Sequence, residues 1–216
     1  AMTLLLPNYP PVLCITLTQC PSEVKRPARI VHLNPRIARK LIMGAWWRES
    51  SIPRHLLDQE KDQGWDWVKL ADGIQREQDS EEGTQKRCCV AITAENRTLF
   101  AQGAIFYRLD ALSLEKPGLP AVYVEWVASA PRNRRNLVGK NAAFTGTGEN
   151  LVAIAIADSI YNGFDGRVLL KPLDTAVEFY KKMRFEKVLD PADGRSYYEI
   201  GGEMAKAHIR LRGWKL

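Results

Sequence analysis

Histidine is scarce in this chain, with three in 216 residues, and no Cys-x-x-Cys pair occurs. His32, His55 and His208 stand far apart, so no ligand set with zinc-like spacing can be assembled from sequence, and no metal is expected. The four cysteines are Cys14, Cys20, Cys88 and Cys89. Adjacent Cys88 and Cys89 on a strand point to opposite faces and make poor disulfide partners, so reduced core thiols are the reading. No apolar run approaches the roughly 20 residues that a membrane helix needs. The opening Ala-Met-Thr-Leu-Leu-Leu-Pro has no basic segment and no signal-cleavage pattern, which leads us to expect a cytoplasmic location.

Two phosphate-binding signatures are also missing. A dinucleotide fingerprint needs a third glycine three residues after Gly148, where Leu151 stands. A Walker loop needs Gly, four residues and Gly-Lys-Ser/Thr, whereas Gly139-Lys140 is followed by Asn141.

What is present is an ordinary globular composition, 45% hydrophobic and 26% charged, with a net charge of +6. That balance suits a polyanionic partner, either nucleic acid or a phosphorylated cofactor. The densest basic cluster in the loops is Arg132, Arg134, Arg135 and Lys140. It reads as solvated loop charge or as a contact to cofactor phosphates or an acidic substrate.

Along the chain, residues 12–17 and 28–33 read as short strands. Asn34-Pro35 reads as a helix start, with Asn at the N-cap and Pro at the first turn, and the helix is expected to run to about Trp47. A second helical stretch begins at Ile52-Pro53, breaks near Gly64 and resumes over residues 65–70. Residues 72–86 are polar and are expected to be a mobile surface excursion. Strands at 88–93 and 98–107 flank a hairpin turn at 94–97. A β-branched and aromatic strand follows at 121–128, then a helix from Glu149 to Asp158 that is apolar on nearly every face. A short apolar strand at 166–173, a helix over 175–185 and a last strand at 196–200 complete the order. The division expected is an N-terminal extension (1–34), a main domain (35–200) and a basic tail packed on it (201–216).

Between the 121–128 strand and the apolar helix stands Thr145-Gly-Thr-Gly148. Gly-x-Gly at a helix start brings bare backbone N–H groups close to a ligand without Cβ obstruction. With the positive end of the helix dipole, these form a phosphate seat.

The glycine turn and the segment Ala176-Val-Glu-Phe-Tyr-Lys-Lys-Met-Arg-Phe185 together resemble the GNAT acetyltransferase superfamily. The turn is similar to that family's Gln/Arg-x-x-Gly-x-Gly/Ala pyrophosphate loop. The second segment is similar to its A-x-x-F-Y-x-K-x-G-F signature. The chain departs from the pattern at Ala143, where Gln or Arg is usual, and at Arg184, where Gly is usual. The resemblance covers roughly the C-terminal half. It implies an α+β fold with a mixed, mostly antiparallel central sheet flanked by helices, and transfer of an acetyl group from acetyl-CoA to an amine in a ternary complex. It also implies a set of site residues. Backbone groups of Val127 and Ala128 would hold the cofactor's pantetheine arm. Phe144, Thr145, Gly146, Thr147, Gly148 and Glu149 would seat its pyrophosphate. Tyr180 would protonate the departing thiolate.

Glu125 lies mid-strand among apolar neighbours, so its carboxylate must face solvent, a pocket or a partner. It reads either as the general base or as an ion-paired carboxylate on the sheet's polar face. Tyr180 reads as an acid or as a tyrosine packed beneath the cofactor. Trp46, Trp47, Trp65 and Trp67 read mainly as core; adjacent Trp46 and Trp47 cannot share one face, so at least one is left for an acceptor pocket or an interface. The amine acceptor is open: a small amine, an amino acid, a peptide or the aminoacyl group of a tRNA. A homodimer is also left open. Two rival readings are a non-catalytic acyl-CoA-binding module and a nucleic-acid-binding protein.

Overall fold

Asn34 begins the first helix as its sequence suggests: its side-chain oxygen accepts a hydrogen bond from Ile37 N at 2.8 Å, and Pro35 opens the first turn. This is a computed structural model, and it describes residues 15–20, 22–47, 52–78, 87–94 and 97–214. Its strands are β1 (Ile15–Gln19), β2 (Val24–His32), β3 (Arg87–Ala94), β4 (Arg97–Leu112), β5 (Pro120–Ser129), β6 (Phe144–Thr145), β7 (Val168–Leu170), β8 (Glu186–Leu189) and β9 (Ser196–Ile200). Its helices are α1 (Pro35–Ala38), α2 (Arg54–Leu57), α3 (Trp67–Gln78), α4 (Arg135–Val138), α5 (Thr147–Tyr161), α6 (Val177–Lys182) and α7 (Gly202–Leu211). The nine strands order as β6-β1-β2-β3-β4-β5-β7-β9-β8. The β1–β2, β1–β6, β2–β3, β7–β9 and β8–β9 ladders are antiparallel, and β5–β7 is parallel. This is the mixed, mostly antiparallel α+β class expected.

Contacts group the chain into two units. The first comprises Ile15–Phe106 and Trp126–Leu151. In it, β2 ladders to β3 from Ala28↔Ala94 to His32↔Val90. Its core gathers Leu33, Ala38, Leu41 and Ile42 with Trp46, Trp67, Ala71 and Ile74 and with Cys89, Ala91, Ala104 and Phe106. Trp46 is buried, and its indole N–H donates to Ala101 O at 2.9 Å, which satisfies the one polar group of that side chain. Cys88 and Cys89 are both buried free thiols on β3. Since neighbouring strand residues face opposite ways, β3 is covered on both faces.

Two local expectations change here. The helix at Asn34 gives way after Ala38 to a π-helical turn, Arg39–Met43, which ends before Trp47. Residues 72–78 belong to α3 and are not an excursion, while 79–86 lie outside the described residues. Helix α3 needs only Trp67, Ala71 and Ile74, spaced i, i+4, i+7, as its buried stripe. Its polar remainder faces out, with Arg76 paired to Asp72 and Arg87 to Glu77.

The second unit contains Tyr107–Glu125 and residues 152–214. In it, α5 is buried without a break from Val152 to Ser159, as its all-round apolar sequence requires. Helix α7 lies in the region read as a basic tail, buries Ala205 and Ile209, and sets His208 Nε2 2.6 Å from Met183 O.

Two buried acids organise this unit. Glu199 on β9 is 1% exposed. Its carboxylate accepts from Ser113 Oγ (2.5 Å), Leu114 N (2.9 Å) and Glu115 N (3.0 Å), fixing the turn between β4 and β5. Asp158 on α5 is 4% exposed and accepts from Tyr107 Oη at 2.9 Å and Asn162 Nδ2 at 3.1 Å. Burial pushes its pKa up to about 6, against the lowering effect of these two donors. The folded state therefore holds this proton more tightly than the unfolded chain. The stability so gained is complete below about pH 4, where both states are protonated, and is lost as pH rises through about 6. The difference is on the order of 3 kcal/mol. We expect the wild type to gain thermal stability on going from pH 8 to pH 5, and Asp158→Asn to flatten that slope. Parallel slopes in the two proteins, measured by thermal melts, would contradict this assignment.

Candidate functional site

The glycine turn lies in the first unit, where β6 runs into α5. Strand β6 is short but anchored: Thr145 and Phe144 pair with Thr18 and Gln19 of β1. Asn133 ties the same segment to β4, accepting from Phe144 N (3.1 Å) and donating to Gln102 O (2.9 Å) and Gln102 Oε1 (3.2 Å). The Phe144 amide is thus engaged, and its ring is buried. Gly146 then takes φ +84°, which only a residue without Cβ adopts cheaply, and turns the chain into α5. The first helical bond runs from Asn150 N to Gly146 O at 3.1 Å. The amides of Thr147, Gly148 and Glu149 consequently have no acceptor within the helix. Asn150 holds the turn from below, its Nδ2 donating to Gly146 O (2.9 Å) and Thr16 O (3.0 Å). The Thr147 hydroxyl is buried without a hydrogen-bond partner. Glu149 is the only acid of this first turn.

Gly103 on β4 is what lets α5 start so close to the sheet. A Cβ there would stand 2.5 Å from Thr147 Cγ2, 2.8 Å from Leu151 Cδ1 and 2.9 Å from Ala128 O. Ala128 is buried and Val127 half-buried on β5. Strand β5 makes three parallel pairs with β7, from Val122↔Val168 to Val124↔Leu170, and continues beyond the last of them to Ser129.

The loop after β5 is held internally. Arg134 donates to Ser129 O (2.8 Å) and Asp62 Oδ1 (2.7 Å) and pairs also with Glu60. The two carboxylates hold its guanidinium firmly protonated against the opposing effect of burial. Asn136 Nδ2 adds a bond to Glu60 Oε1 at 2.9 Å. Arg134 is therefore a structural clamp and is spent on protein carboxylates, whereas Arg135 and Lys140 are exposed. Arg132 stacks over Phe100 at 4.6 Å. Trp65 stacks on Trp126 at 4.8 Å, both half-buried, and Trp67 meets each edge-on.

The remaining candidates lie in the second unit. Glu125 is exposed, and its carboxylate is 3.4 Å from Arg108 Nε. Arg108 also sits 5.1 Å over the Tyr123 ring. Burial, the Tyr197 phenol and Glu125 together raise the Tyr123 pKa. Tyr180 on α6 is buried, packed edge-on against Phe179 and Phe185, and burial pushes its phenol well above the ordinary tyrosine value. Arg184 ends this segment at φ +64°, a left-handed conformation that favours glycine.

Among the described residues no helix is long and apolar enough to cross a membrane, and no group of His, Cys, Asp and Glu could hold a metal ion. No protein-family model matches the chain, and neither does any curated protein. Solved structures do. A bacterial toxin aligns with TM-score 0.53 at 9% identity, covering 86% of this chain and 96% of its own. AtaT, complexed with acetyl-methionyl-tRNAfMet, aligns with TM-score 0.51 at 13% identity, covering 83% and 98%. AtaTR bound with AcCoA aligns with TM-score 0.50 at 13% identity, covering 83% and 96%. The chain has a GNAT-like fold.

Sequence reasoning passed over Gly103, Asn133, Arg134 as a clamp, Glu199 and Asp158. Gly103 stands inside an apolar strand pattern, and a glycine there is itself a sign of close backbone approach. Two measurements check these positions. Gly103→Val should unseat α5 and destabilise the protein by at least about 2 kcal/mol, since neither Ala128 O nor the helix can retreat cheaply; a melt equal to the wild type would refute the close approach. Arg184→Gly should raise stability by about 1 kcal/mol by removing the cost of a side chain at positive φ; no gain in a denaturant titration would mean that the Arg184 side chain compensates for the strain.

Proposed function

We propose that this GNAT-like protein is an acetyltransferase that uses acetyl-CoA to acetylate an amine. One observation carries the reading: a glycine turn at φ +84° delivers β6 into α5 with three N-terminal amides left without intrahelical acceptors. That arrangement suits a pyrophosphate, by hydrogen bonding and by the helix dipole. The likeness in fold to an acetyl-CoA-bound structure supports the choice of cofactor.

In this reading Gly146, Thr147, Gly148 and Glu149 seat the pyrophosphate through backbone groups. Phe144 and Thr145 anchor the turn by their ladder and buried ring. Val127 and Ala128, on the stretch of β5 beyond its pairs with β7, offer backbone groups to the pantetheine arm. Because main-chain groups do the binding, Ala143 needs no polar side chain. The Ala143 main chain is itself fixed, its N–H donating to Arg132 O and its carbonyl accepting from Cys20 N, both at 3.0 Å.

The chemistry follows from balance. The acceptor amine must be neutral; its lone pair attacks the thioester carbonyl, the C–S bond breaks, an amide forms, and the thiolate must gain a proton as the amine loses one. Tyr180 is assigned as the acid. Burial keeps this phenol protonated at working pH but makes it a weaker acid, so the role requires that bound cofactor and the charge developing on sulfur draw its proton. Glu125 is the candidate base, and its ion pair with Arg108 must loosen for it to take a proton.

Calorimetric titration with acetyl-CoA should show selective binding in about the micromolar range, with NAD and ATP as controls. Tyr180→Phe should leave that affinity near normal and lower turnover by about 10²-fold or more. Absence of acetyl-CoA binding would remove the cofactor assignment; unchanged turnover in Tyr180→Phe would remove only the acid.

A further inference from the structure

Arg108 is held in place without its donors being satisfied. On β4 its neighbour Tyr107 meets Asp158 of α5, so by strand alternation Arg108 and Asp110 stand on the face of β4 turned from that helix. Tyr123 and Glu125 of β5 join them there. Arg108 lies 5.1 Å over the Tyr123 ring, and its Nε is 3.4 Å from the Glu125 carboxylate. Tyr197 of β9 adds a second phenol, its ring centre 6.4 Å from that of Tyr123. All of these residues belong to the second unit.

Neither ion pair of this guanidinium is tight. Nη1 is 3.6 Å from Asp110 and Nε is 3.4 Å from Glu125, against roughly 2.7–2.9 Å for a charge-assisted hydrogen bond. Among the described residues the Nε atom is buried with no hydrogen-bond partner, although the side chain as a whole is 42% exposed. Other arginines of the unit are bonded: Arg167 Nε donates to Pro120 O and Arg212 Nη1 to His208 O, both at 2.9 Å. A buried donor left without a bond is costly. Tyr123 thus fixes the cation over its ring while the planar fork of N–H groups stays uncommitted and within reach of solvent.

The charges decide what this arrangement fits. One guanidinium stands between two carboxylates, Asp110 and Glu125. An acceptor with positive charge alone meets the guanidinium and leaves the fork unfilled. One with negative charge alone meets the carboxylates. An acceptor with both signs satisfies both, its carboxylate on the fork of Arg108 and its ammonium on Glu125. A carboxylate also has the planar, two-oxygen geometry that the fork matches, whereas an ester or amide offers one neutral carbonyl oxygen.

We propose that Arg108 determines acceptor specificity and that the acceptor is a free amino acid in its zwitterionic form. This rests on the acetyl-transfer reading above and deepens it. It also supplies what loosens the Arg108–Glu125 pair. The incoming carboxylate bonds to Arg108, and Glu125 takes a proton from the ammonium, so the two charges exchange partners. The freed amine attacks the thioester carbonyl, the C–N bond forms and the C–S bond breaks. The nitrogen sheds a second proton as the thiolate gains one, and Glu125 returns its proton to solvent. The product keeps its carboxylate but has lost its positive charge, so re-ionised Glu125 no longer holds it and competes for Arg108.

The test uses the full chain, an equimolar mixture of the standard L-amino acids, and the matching methyl esters. Saturation-transfer NMR reads binding without acetyl-CoA, and mass spectrometry reads acetylated products with it. Wild type should bind free amino acids and acetylate at least one of them with kcat/KM at least about tenfold above that of its methyl ester. Arg108→Gln should erase that preference through a rise in KM for the free acid. Arg108→Lys, which keeps the charge without the fork, should restore it in part. The preference is a ratio within one protein, so a loss of folded material does not move it. A methyl ester used as well as its acid, or a preference that survives in Arg108→Gln, overturns the proposal. So does acetyl-CoA binding with no free amino acid acetylated, an outcome that leaves the cofactor assignment standing. Amino-acid binding that depends on Arg108, in a protein that binds no acetyl-CoA, keeps the zwitterion site and removes the acetyl-transfer reading.

Discussion

The first turn of α5 can stand where it does only because position 103 has no side chain. With Thr147 Cγ2 and Ala128 O both inside 3 Å of where a Cβ would be, helix, β4 and β5 meet at a single glycine. Other features of this unit are consequences of that contact. Asn133 and Asn150 tie the approach to the turn, one from Gln102 and Phe144, the other from Thr16 and Gly146. Gly146 then has to reverse the chain at positive φ, and the helix begins with free amides. The turn proposed to seat a phosphate is made by steric permission at one residue and by hydrogen bonding at its neighbours, with no charged side chain required.

The buried ionisable groups Arg134, Glu199 and Asp158 each bring partners of their own. Arg134 meets two carboxylates, and Glu199 gathers a hydroxyl and two amides. Asp158 has only two neutral donors, which is why burial still dominates its titration. The contrast explains a division of labour. Arg134 and Glu199 pin loops, the first joining the segment after β5 to that around Glu60, the second closing the turn between β4 and β5. Asp158 leaves the protein's stability sensitive to pH.

Local chemistry was legible in the sequence wherever one residue forced one conformation. Asn34-Pro35 started a helix, Gly146 turned into α5, and the alternation of β-branched and aromatic residues gave β5. The α+β class and the likeness to a GNAT fold followed from the order of those elements. What could not be read was partnership at a distance. Glu60 and Asp62 lie some seventy positions before Arg134, and Ser113 lies 86 before Glu199; nothing in the spacing of either segment announces the other. The same blindness turned the polar half of α3 into an expected loop, because three buried residues in twelve suffice once Trp67 has a core to enter.

The two departures from the GNAT pattern illustrate how a backbone requirement can persist when the residue that best meets it is gone. Arg184 occupies the place where glycine is usual and still adopts φ +64°. The turn is held locally by Arg184 N donating to Lys181 O at 2.9 Å and Phe185 N donating to Tyr180 O at 3.0 Å, and from α7 by His208 Nε2 against Met183 O. Three hydrogen bonds outweigh a conformational cost of about 1–2 kcal/mol. At Ala143 the main chain is likewise held at both its N–H and its carbonyl, so the loop keeps its path whatever side chain it bears. Both substitutions therefore fall on positions whose geometry is secured by neighbours. Neither counts against the proposed cofactor seat, since the groups it would use are the amides of α5 and not the side chains at these two positions.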